Sequence, residues 1–291
     1  MPWALIPALA IVFSGAGVLP QKVTSKTVTT KASGPVAQVA SGSGPSPNYD
    51  AQAEQELLVL ANQDRVRVGA PPLEMDPGLT QAARAHAAAM ARQQQLSHQL
   101  NGEPSLAHRL ADTSDLRLDR AGENVALDSN AQQAEQHLLL SPTHRANLLN
   151  PAYNVAGFAV VRSGAYLYIV QDFAHRLPTY SLEQTENIVG KAVIEMRSQA
   201  SLPALHRLEG LALHNAACSM AQEDRLNTRA VHELAQRYSV LAYTNARPEV
   251  LPQGTSKLIA DRRTRDFSVG VCYGRTATYT NGVYWVVLLF H

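Results

Sequence analysis

Apolar positions recur at helical spacing in two stretches that begin near residue 50. The first stretch follows Asp50, a residue type that caps helices, and stops at Gly69 and the two prolines after it. Its apolar positions are Ala53, Leu57, Leu60, Ala61 and Val68. The second stretch, over about residues 77–95, carries a stripe of mostly small side chains: Leu79, Ala82, Ala83, Ala87 and Met90. The spacing predicts two helices, the second of which packs closely against a neighbour.

Residues 101–128 show no regular period, because glycines, a proline and several aspartates interrupt them. We predict a loop there with one short helix. Asn130 then caps a helix that ends at Ser141-Pro142, and the same pair starts the next helix. Alternation in NVAGFAVVRSG and AYLYIVQDF predicts two strands joined by a turn at Ser163-Gly164. Helices followed by an antiparallel hairpin predict an α+β fold with helices packed on a small sheet.

An internal repeat extends this picture to the second half of the chain. The segment at 269–291 resembles the hairpin at 156–175, with glycine and arginine at matching places and a final Phe followed closely by His. Upstream, residues 202–226 resemble residues 71–96 in their order of Pro, Leu, Gly-Leu, an alanine-rich helix and Met-Ala. The repeat predicts a unit that occurs twice. The alternative is a chance likeness between two helix-plus-hairpin segments.

The N-terminal stretch Trp3–Leu19 contains no charged residue and precedes a segment rich in Ser, Thr, Gly and Pro. It is short for a membrane span and fits the apolar region of a secretory signal peptide, with Ser14-x-Ala16 as a small-residue cleavage site. No Lys or Arg precedes it, which departs from that pattern. We predict a signal peptide or a retained N-terminal anchor over residues 1–20 and a flexible linker over 21–49. A wrongly assigned start or a soluble protein stays the alternative.

Composition and charge exclude several classes of protein. A hydrophobic content of 45% with 17% charged residues excludes wholesale disorder. The formal net charge is +1, so there is no basic excess and we expect no nucleic-acid partner. Cys218 and Cys272 are too few for a disulfide-dense scaffold and too far apart for a CxxC motif. In an exported protein we favour a disulfide between them over two buried free thiols.

Three motifs in the first half carry side chains suited to metal chemistry. His98 follows the second helix, Glu123 lies in the predicted loop, and His144 opens a later helix. Neutral imidazole and carboxylate are ordinary zinc ligands. Each residue also has a structural explanation, because a histidine at a helix end complements the dipole and a loop carboxylate satisfies backbone donors. No local His-x-x-x-His pattern decides between these alternatives.

The order of these motifs over residues 54–174 resembles the CAP superfamily of cysteine-rich secretory, antigen 5 and pathogenesis-related 1 proteins, in particular its bacterial SCP-like extracellular branch. The resemblance is carried by ANQDRVRVG, by the helix that ends in QLSH, by GENVAL, by SPTHRANLLNPAYNVAGFAVV and by YIVQDF. It implies a three-layer α-β-α sandwich over residues 50–178 and a degenerate CAP-like copy over 179–291. It also implies a cleft in which His98 and His144 bind zinc beside Glu123.

In the family this cleft is lined by two histidines and two glutamates, and the chain departs from that pattern at the second glutamate. Leu138 and Ser141 stand where eukaryotic members carry an aromatic residue and that glutamate. Glu135 is the nearest substitute, and we expect a solvated helix carboxylate there. We expect Ser141 to cap a helix rather than to act as a nucleophile, and Asn124 to support the cleft wall.

These features predict an exported binding or interaction module with a weak divalent-metal site and an unknown extracellular ligand or protein partner. Membrane contact is expected only through an N-terminal anchor. One alternative is a metal-assisted hydrolase of peptide or cell-wall material with Glu123 as its base. Another is a lipid- or sterol-binding module. Loss of the second glutamate disfavours an enzyme, and the second copy lacks both the GEN motif and the SPTHR helix.

Overall fold

A computed structural model describes residues 10–13, 47–209 and 211–291. Its helices are α1 (Ala51–Arg67), α2 (Pro77–Gln93), α3 (Leu106–Thr113), α4 (Ala131–Leu140), α5 (Pro142–Leu148), α6 (Leu182–Gln199), α7 (Leu211–Glu223), α8 (Arg229–Ala235) and α9 (Thr255–Ile259). Its strands are β1 (Ala10–Phe13), β2 (Glu74–Met75), β3 (Leu118–Asp128), β4 (Val155–Ser163), β5 (Tyr166–Arg176), β6 (His206–Leu208), β7 (Ser239–Asn245), β8 (Asp266–Gly274) and β9 (Val283–Phe290). Apart from β1 and residues 47–49, the predicted leader and linker lie outside the described residues.

The first unit is a four-stranded sheet between two layers of helices. Its strand order is β2-β4-β5-β3, with β2 parallel to β4 and the other pairs antiparallel. One face packs against α1, α4 and α5 through residues such as Leu57, Ala134 and Phe158. The other packs against α2, as where Ala87 meets Ala159. This arrangement confirms the predicted α+β class and the three-layer α-β-α sandwich.

The prediction of a loop over residues 101–128 is wrong for its second half. The expected short helix is present as α3, but β3 then pairs with β5 from Leu118 to Asp128. Both faces of β3 are covered by helices, and buried polar residues lie on both of them, as the adjacent Glu123 and Asn124 show. The sequence therefore lacks the polar-out alternation of a half-exposed strand.

The second unit has a sheet with a matching layout. Strands β6-β8-β9-β7 repeat the order and relative directions of β2-β4-β5-β3, and β1 pairs with the outer edge of β7. Helices α6 and α9 cover one face, and α7 and α8 cover the other. Cys218 on α7 and Cys272 on β8 form the predicted disulfide, with Cα atoms 5.0 Å apart.

The two units contact each other through arginines. Arg117, just before β3, donates to the Tyr284 hydroxyl at 2.5 Å and to the Ala246 carbonyl at 2.9 Å. Its guanidinium carbon lies 4.2 Å from the centroid of the Tyr284 ring. In the opposite direction, Arg275 donates to carbonyls at the end of α3 and after it, including that of Ser114 at 2.8 Å.

Among the described helices none is long and apolar enough to cross a membrane.

Candidate functional site

The cleft predicted from sequence lies at the outer edge of β3. That strand ends the sheet, so groups from both helical layers meet around it. His98 comes from the segment after α2 and His144 from the start of α5. Their ring centroids are 6.3 Å apart, with the ring planes tilted by 42°. Glu123 on β3 lies beside His98, so the structure brings all three predicted side chains together.

Glu123 is buried and both of its oxygens are engaged. Oε1 lies 2.9 Å from His98 Nδ1, and Oε2 accepts a hydrogen bond from Arg109 on α3. Because an ionised carboxylate only accepts, His98 carries its hydrogen on Nδ1. Nε2 is then the nitrogen of His98 that can bind a metal ion or another ligand. In metal sites, a hydrogen bond from the other ring nitrogen to a carboxylate orients the histidine in the same way.

The surroundings of His144 favour the neutral form of its imidazole ring. Burial, reinforced by the neighbouring His98, lowers the pKa of His144, because both disfavour a positive charge there. The carboxamide of Asn124 donates to the His144 carbonyl at 3.1 Å and to Gln171 Oε1 at 3.0 Å. Asn147 in turn donates to the Glu123 carbonyl at 3.1 Å. These bonds fix the start of α5 against β3, so Asn124 lies where a cleft-supporting residue was expected.

Ser141 occupies the N-cap position of α5, but its side chain makes no capping hydrogen bond, contrary to expectation. The Ser141 hydroxyl instead lies 3.4 Å from that of Thr143. Pro142 at the first helical position lacks an N–H and needs no acceptor, which reduces the demand for a side-chain cap. In the described part of the chain no base is bonded to Ser141, so the geometry gives it no nucleophilic role.

The expectation of a solvated carboxylate at Glu135 is wrong. Glu135 is 2% exposed and accepts a hydrogen bond from Gln171 Nε2 at 2.9 Å. Burial raises the pKa of Glu135 to about 7; the bond from Gln171 opposes this rise and the charge of Asp64 adds to it. Gln171 also bonds to Asn124, so Glu135 is connected to the start of α5 through two amides and does not reach the histidines themselves.

Asp172 is a residue of this site that the sequence reasoning missed. It pairs in register with Glu123 across β5 and β3 and is fully buried. Burial and the nearby charge of Glu123 raise the pKa of Asp172 well above its usual range. The signal in the sequence was an acid inside an apolar strand, because such a residue is rarely buried without a specific partner.

Of the three predicted residues, the two histidines offer imidazole nitrogens to a metal ion. Among the described residues no three His, Cys, Asp or Glu side chains are grouped so as to hold one. Both oxygens of Glu123 are already bonded, so His98 and His144 would be the only protein ligands of the three predicted residues. Such a donor set fits a weakly held divalent ion with further positions open to water or a ligand.

Comparison with known proteins agrees with the fold of this unit. Residues 58–173 match the CAP family, described as the cysteine-rich secretory protein family. These residues form a CAP domain. The family match ends before the second unit, which it neither includes nor identifies.

Several relatives are bacterial. The chain is 28% identical over 123 residues to the uncharacterized protein YkwD of Bacillus subtilis and 32% identical over 125 residues to the uncharacterized membrane protein YlbC of the same organism. It covers 47% and 35% of those proteins, less than half of either, and they cover 41% and 43% of this chain. A solved extracellular protein with an SCP domain from Bacillus anthracis is 28% identical, with a TM-score of 0.40, over 44% of this chain and 41% of that one.

Proposed function

We propose that this chain is an exported CAP-domain protein that acts as an extracellular binding or interaction module and holds a divalent metal ion weakly in its cleft. The convergence of His98 and His144 around the edge of β3, with centroids 6.3 Å apart, carries the proposal. A bound zinc ion would supply a Lewis-acidic centre with open positions. The uncharged N-terminal stretch and the Cys218–Cys272 disulfide support export, because disulfides persist in oxidising compartments.

The state of Glu123 favours binding over catalysis. A general base needs an oxygen free to take a proton from water or substrate. Here Arg109 and His98 hold the two oxygens, so Glu123 is better placed to orient His98. The rival function, a metal-assisted hydrolase, predicts turnover of peptide or peptidoglycan substrates that a chelator abolishes and that Glu123→Gln lacks. We expect no such turnover.

Zinc titration followed by calorimetry tests the metal site. We expect wild-type protein to give one saturable binding event per chain and the His98→Ala/His144→Ala variant to give none. The matched control is His206→Ala/His291→Ala, which removes two exposed histidines of the second unit and leaves the binding heat unchanged. Equal heats in wild type and in the cleft variant would contradict the metal site.

We also infer that the second unit is a duplicated CAP-like copy. A buried arginine occupies the same place in both units: Arg65 on α1 donates to the Pro71 carbonyl at 2.8 Å, and Arg197 on α6 donates to that of Pro203 at 2.8 Å. Further carbonyls of Leu148, Asn150 and Tyr153 accept from Arg65, and those of Ile259, Asp261 and Thr264 accept from Arg197. Two arginines that each donate to four carbonyls in corresponding segments are hard to explain as a chance likeness.

The proposed copy has lost the polar groups of the cleft. In the first sheet Gly157, Asp172 and Glu123 form one cross-strand row, and in the second sheet Gly270, Val287 and Ala242 form the matching row. In the next row, Gln171 and Asn124 are replaced by Val286 and Tyr243. The second unit is therefore proposed to act through packing or partner binding, without cleft chemistry.

A second candidate function, lipid or sterol binding, is favoured by one groove. A cavity of about 540 Å³ lies between α1, α4 and α5 and is lined partly by Val68, Leu139, Leu140 and Leu149. Leu140 is 80% exposed, an unusual state for a leucine beside other apolar groups. Binding of a fluorescent fatty acid should weaken in Leu140→Glu and stay unchanged in the control Leu208→Glu, which alters an exposed leucine of β6. Equal affinity in both variants would exclude this groove.

A further inference from the structure

A buried pair of carboxyl groups lies behind the cleft. Asp172 and Glu123 are directly opposite each other on β5 and β3, so both side chains lie on the sheet face covered by α2 and α3. Asp172 is fully buried, and among the described residues no side chain or backbone N–H donates to either of its oxygens. An ionised carboxylate without a donor in such a place is very costly.

His86 on α2 lies on the same face, and both of its ring nitrogens have partners. Its Nδ1 is 2.7 Å from Glu103 Oε1, and its Nε2 is 2.9 Å from the Ser97 carbonyl oxygen. The second oxygen of Glu103 accepts from the Leu100 N–H at 3.0 Å and lies 3.5 Å from Arg109, which keeps Glu103 ionised. His86 is therefore engaged at both ring nitrogens and offers no donor to Asp172.

A further anion would be unfavourable in this cluster. Glu103 and Glu123 already supply two carboxylates, and His86 and Arg109 are the basic side chains that face them. A charged Asp172 would add a third carboxylate that no donor among the described residues contacts. We propose that Asp172 is a neutral carboxylic acid whose hydrogen is donated to Glu123, and that it is a positioning residue for the cleft.

Every element packed around Asp172 is consistent with this state. β3 presents Glu123, α2 presents His86, and α3 presents Arg109, while β4 presents Gly157, which has no side chain. Burial, followed by the charge of Glu123, raises the pKa of the Asp172 carboxyl, and Arg109 only partly opposes this rise. The second carboxyl group of the site thus comes from β5 and not from the helix before His144.

A protonated Asp172 would orient His98 through Glu123. Arg109 and His98 fix the two oxygens of Glu123, and the Asp172 hydrogen adds a third bond that holds the carboxylate in the plane facing His98. Glu123 therefore stays an anion and keeps the hydrogen of His98 on Nδ1. The part of the inference that concerns ligand orientation rests on the proposed metal function, whereas the protonation of Asp172 does not.

Infrared spectroscopy of the metal-free protein tests the protonation directly. The measurement uses a Glu135→Gln background, because Glu135 has a pKa of about 7 and would add its own signal. At about pH 8 we expect the C=O band of a protonated carboxylic acid, and we expect Asp172→Asn in the same background to lose it. A spectrum without that band while Asp172 is present would overturn the proposal.

Nitrogen NMR of the ring atoms tests positioning, again without metal. We expect His98 in its Nδ1–H form. Asp172→Asn should preserve the His98 tautomer, because the amide N–H replaces the acid as donor, whereas Asp172→Leu should give a mixture of tautomers. An unchanged His98 in a folded Asp172→Leu variant would overturn the positioning role. Failure of zinc binding alone would contradict the proposed function and would leave these results valid.

Discussion

Glu135 shows how one buried residue couples the stability of the domain to pH. Its carboxyl pKa rises from an ordinary value of 4.5 to about 7 in the folded protein. The folded state therefore binds this proton more tightly than the unfolded state does. The stabilisation it provides is complete below about pH 4.5 and is lost as the pH rises through 7, since the charged form is then forced into the interior.

Replacing Glu135 with glutamine should remove that dependence. We expect Glu135→Gln to match wild type near pH 4.5 and to exceed its free energy of unfolding above pH 7, by up to about 3 kcal/mol. Urea unfolding at a series of pH values measures the difference. Glu195→Gln, an exposed carboxylate on α6, is the control and should show no such trend. A Glu135→Gln difference that is constant with pH would contradict the assigned shift.

The sequence predicted the residues whose motifs are local and missed those defined by distant partners. His98, Glu123 and His144 each stand in a recognisable short motif, and they meet in the structure. Asp172 and Glu135 have no local mark, because their burial depends on which strand or helix packs over them. Ala131, Ala134 and Leu138 form an apolar face beside Glu135 in the sequence, but it is Gln171 on β5 that supplies the donor that makes burial tolerable.

At the scale of elements, β3 was hidden by the chemistry it carries. Ten of its 11 residues pair with β5, yet Asp119, Arg120, Glu123 and Asn124 give the segment the composition of a loop. Asp119, Glu123 and Asn124 are bonded by groups of other elements, as where Asp119 Oδ1 lies 2.6 Å from His175 Nδ1. Sequence periodicity detects strands that divide apolar from polar faces, and this strand does not. The hairpins β4–β5 and β8–β9 were predictable because their strands are mostly apolar and rich in residue types that favour strands.

The disulfide ties one helix of the second unit to its sheet. It closes a separation of 54 residues, for which the loss of chain entropy in the unfolded state corresponds to about 4 kcal/mol. We expect Cys218→Ser/Cys272→Ser to lower the free energy of unfolding of the second unit by an amount of this order, measured by urea unfolding. Reduction of wild type with excess dithiol should reproduce the loss and should leave the double variant unchanged. Equal stability of oxidised and reduced protein would contradict this role.

At the scale of the whole molecule, the contact between the units depends on arginines, of which Arg117 is buried. Arg117 bonds to Tyr284 and Ala246 of the second unit and to the Pro178 carbonyl at 2.6 Å in the segment that joins the units. A guanidinium can serve three acceptors at once because its donors point in fixed, divergent directions, which a lysine ammonium cannot reproduce. The two sandwiches are thereby held as one body although each has its own core.

Removing Arg117 should therefore uncouple the units without unfolding either. Arg117→Met keeps the length of the side chain but leaves the carbonyls of Ala246 and Pro178 without their donor, at a cost of about 2–4 kcal/mol to the interface. We expect calorimetric unfolding to change from one transition to two, and protease cleavage between residues 177 and 181 to accelerate. Arg117→Lys should behave as Arg117→Met does, because the fork geometry is lost in both.

Arg237→Met, at an exposed arginine, is the control and should keep the wild-type profile. A single unchanged transition in Arg117→Met would show that the units are held together by other contacts, such as the ion pair of Arg247 with Asp119 and the bonds from Arg275 to the end of α3.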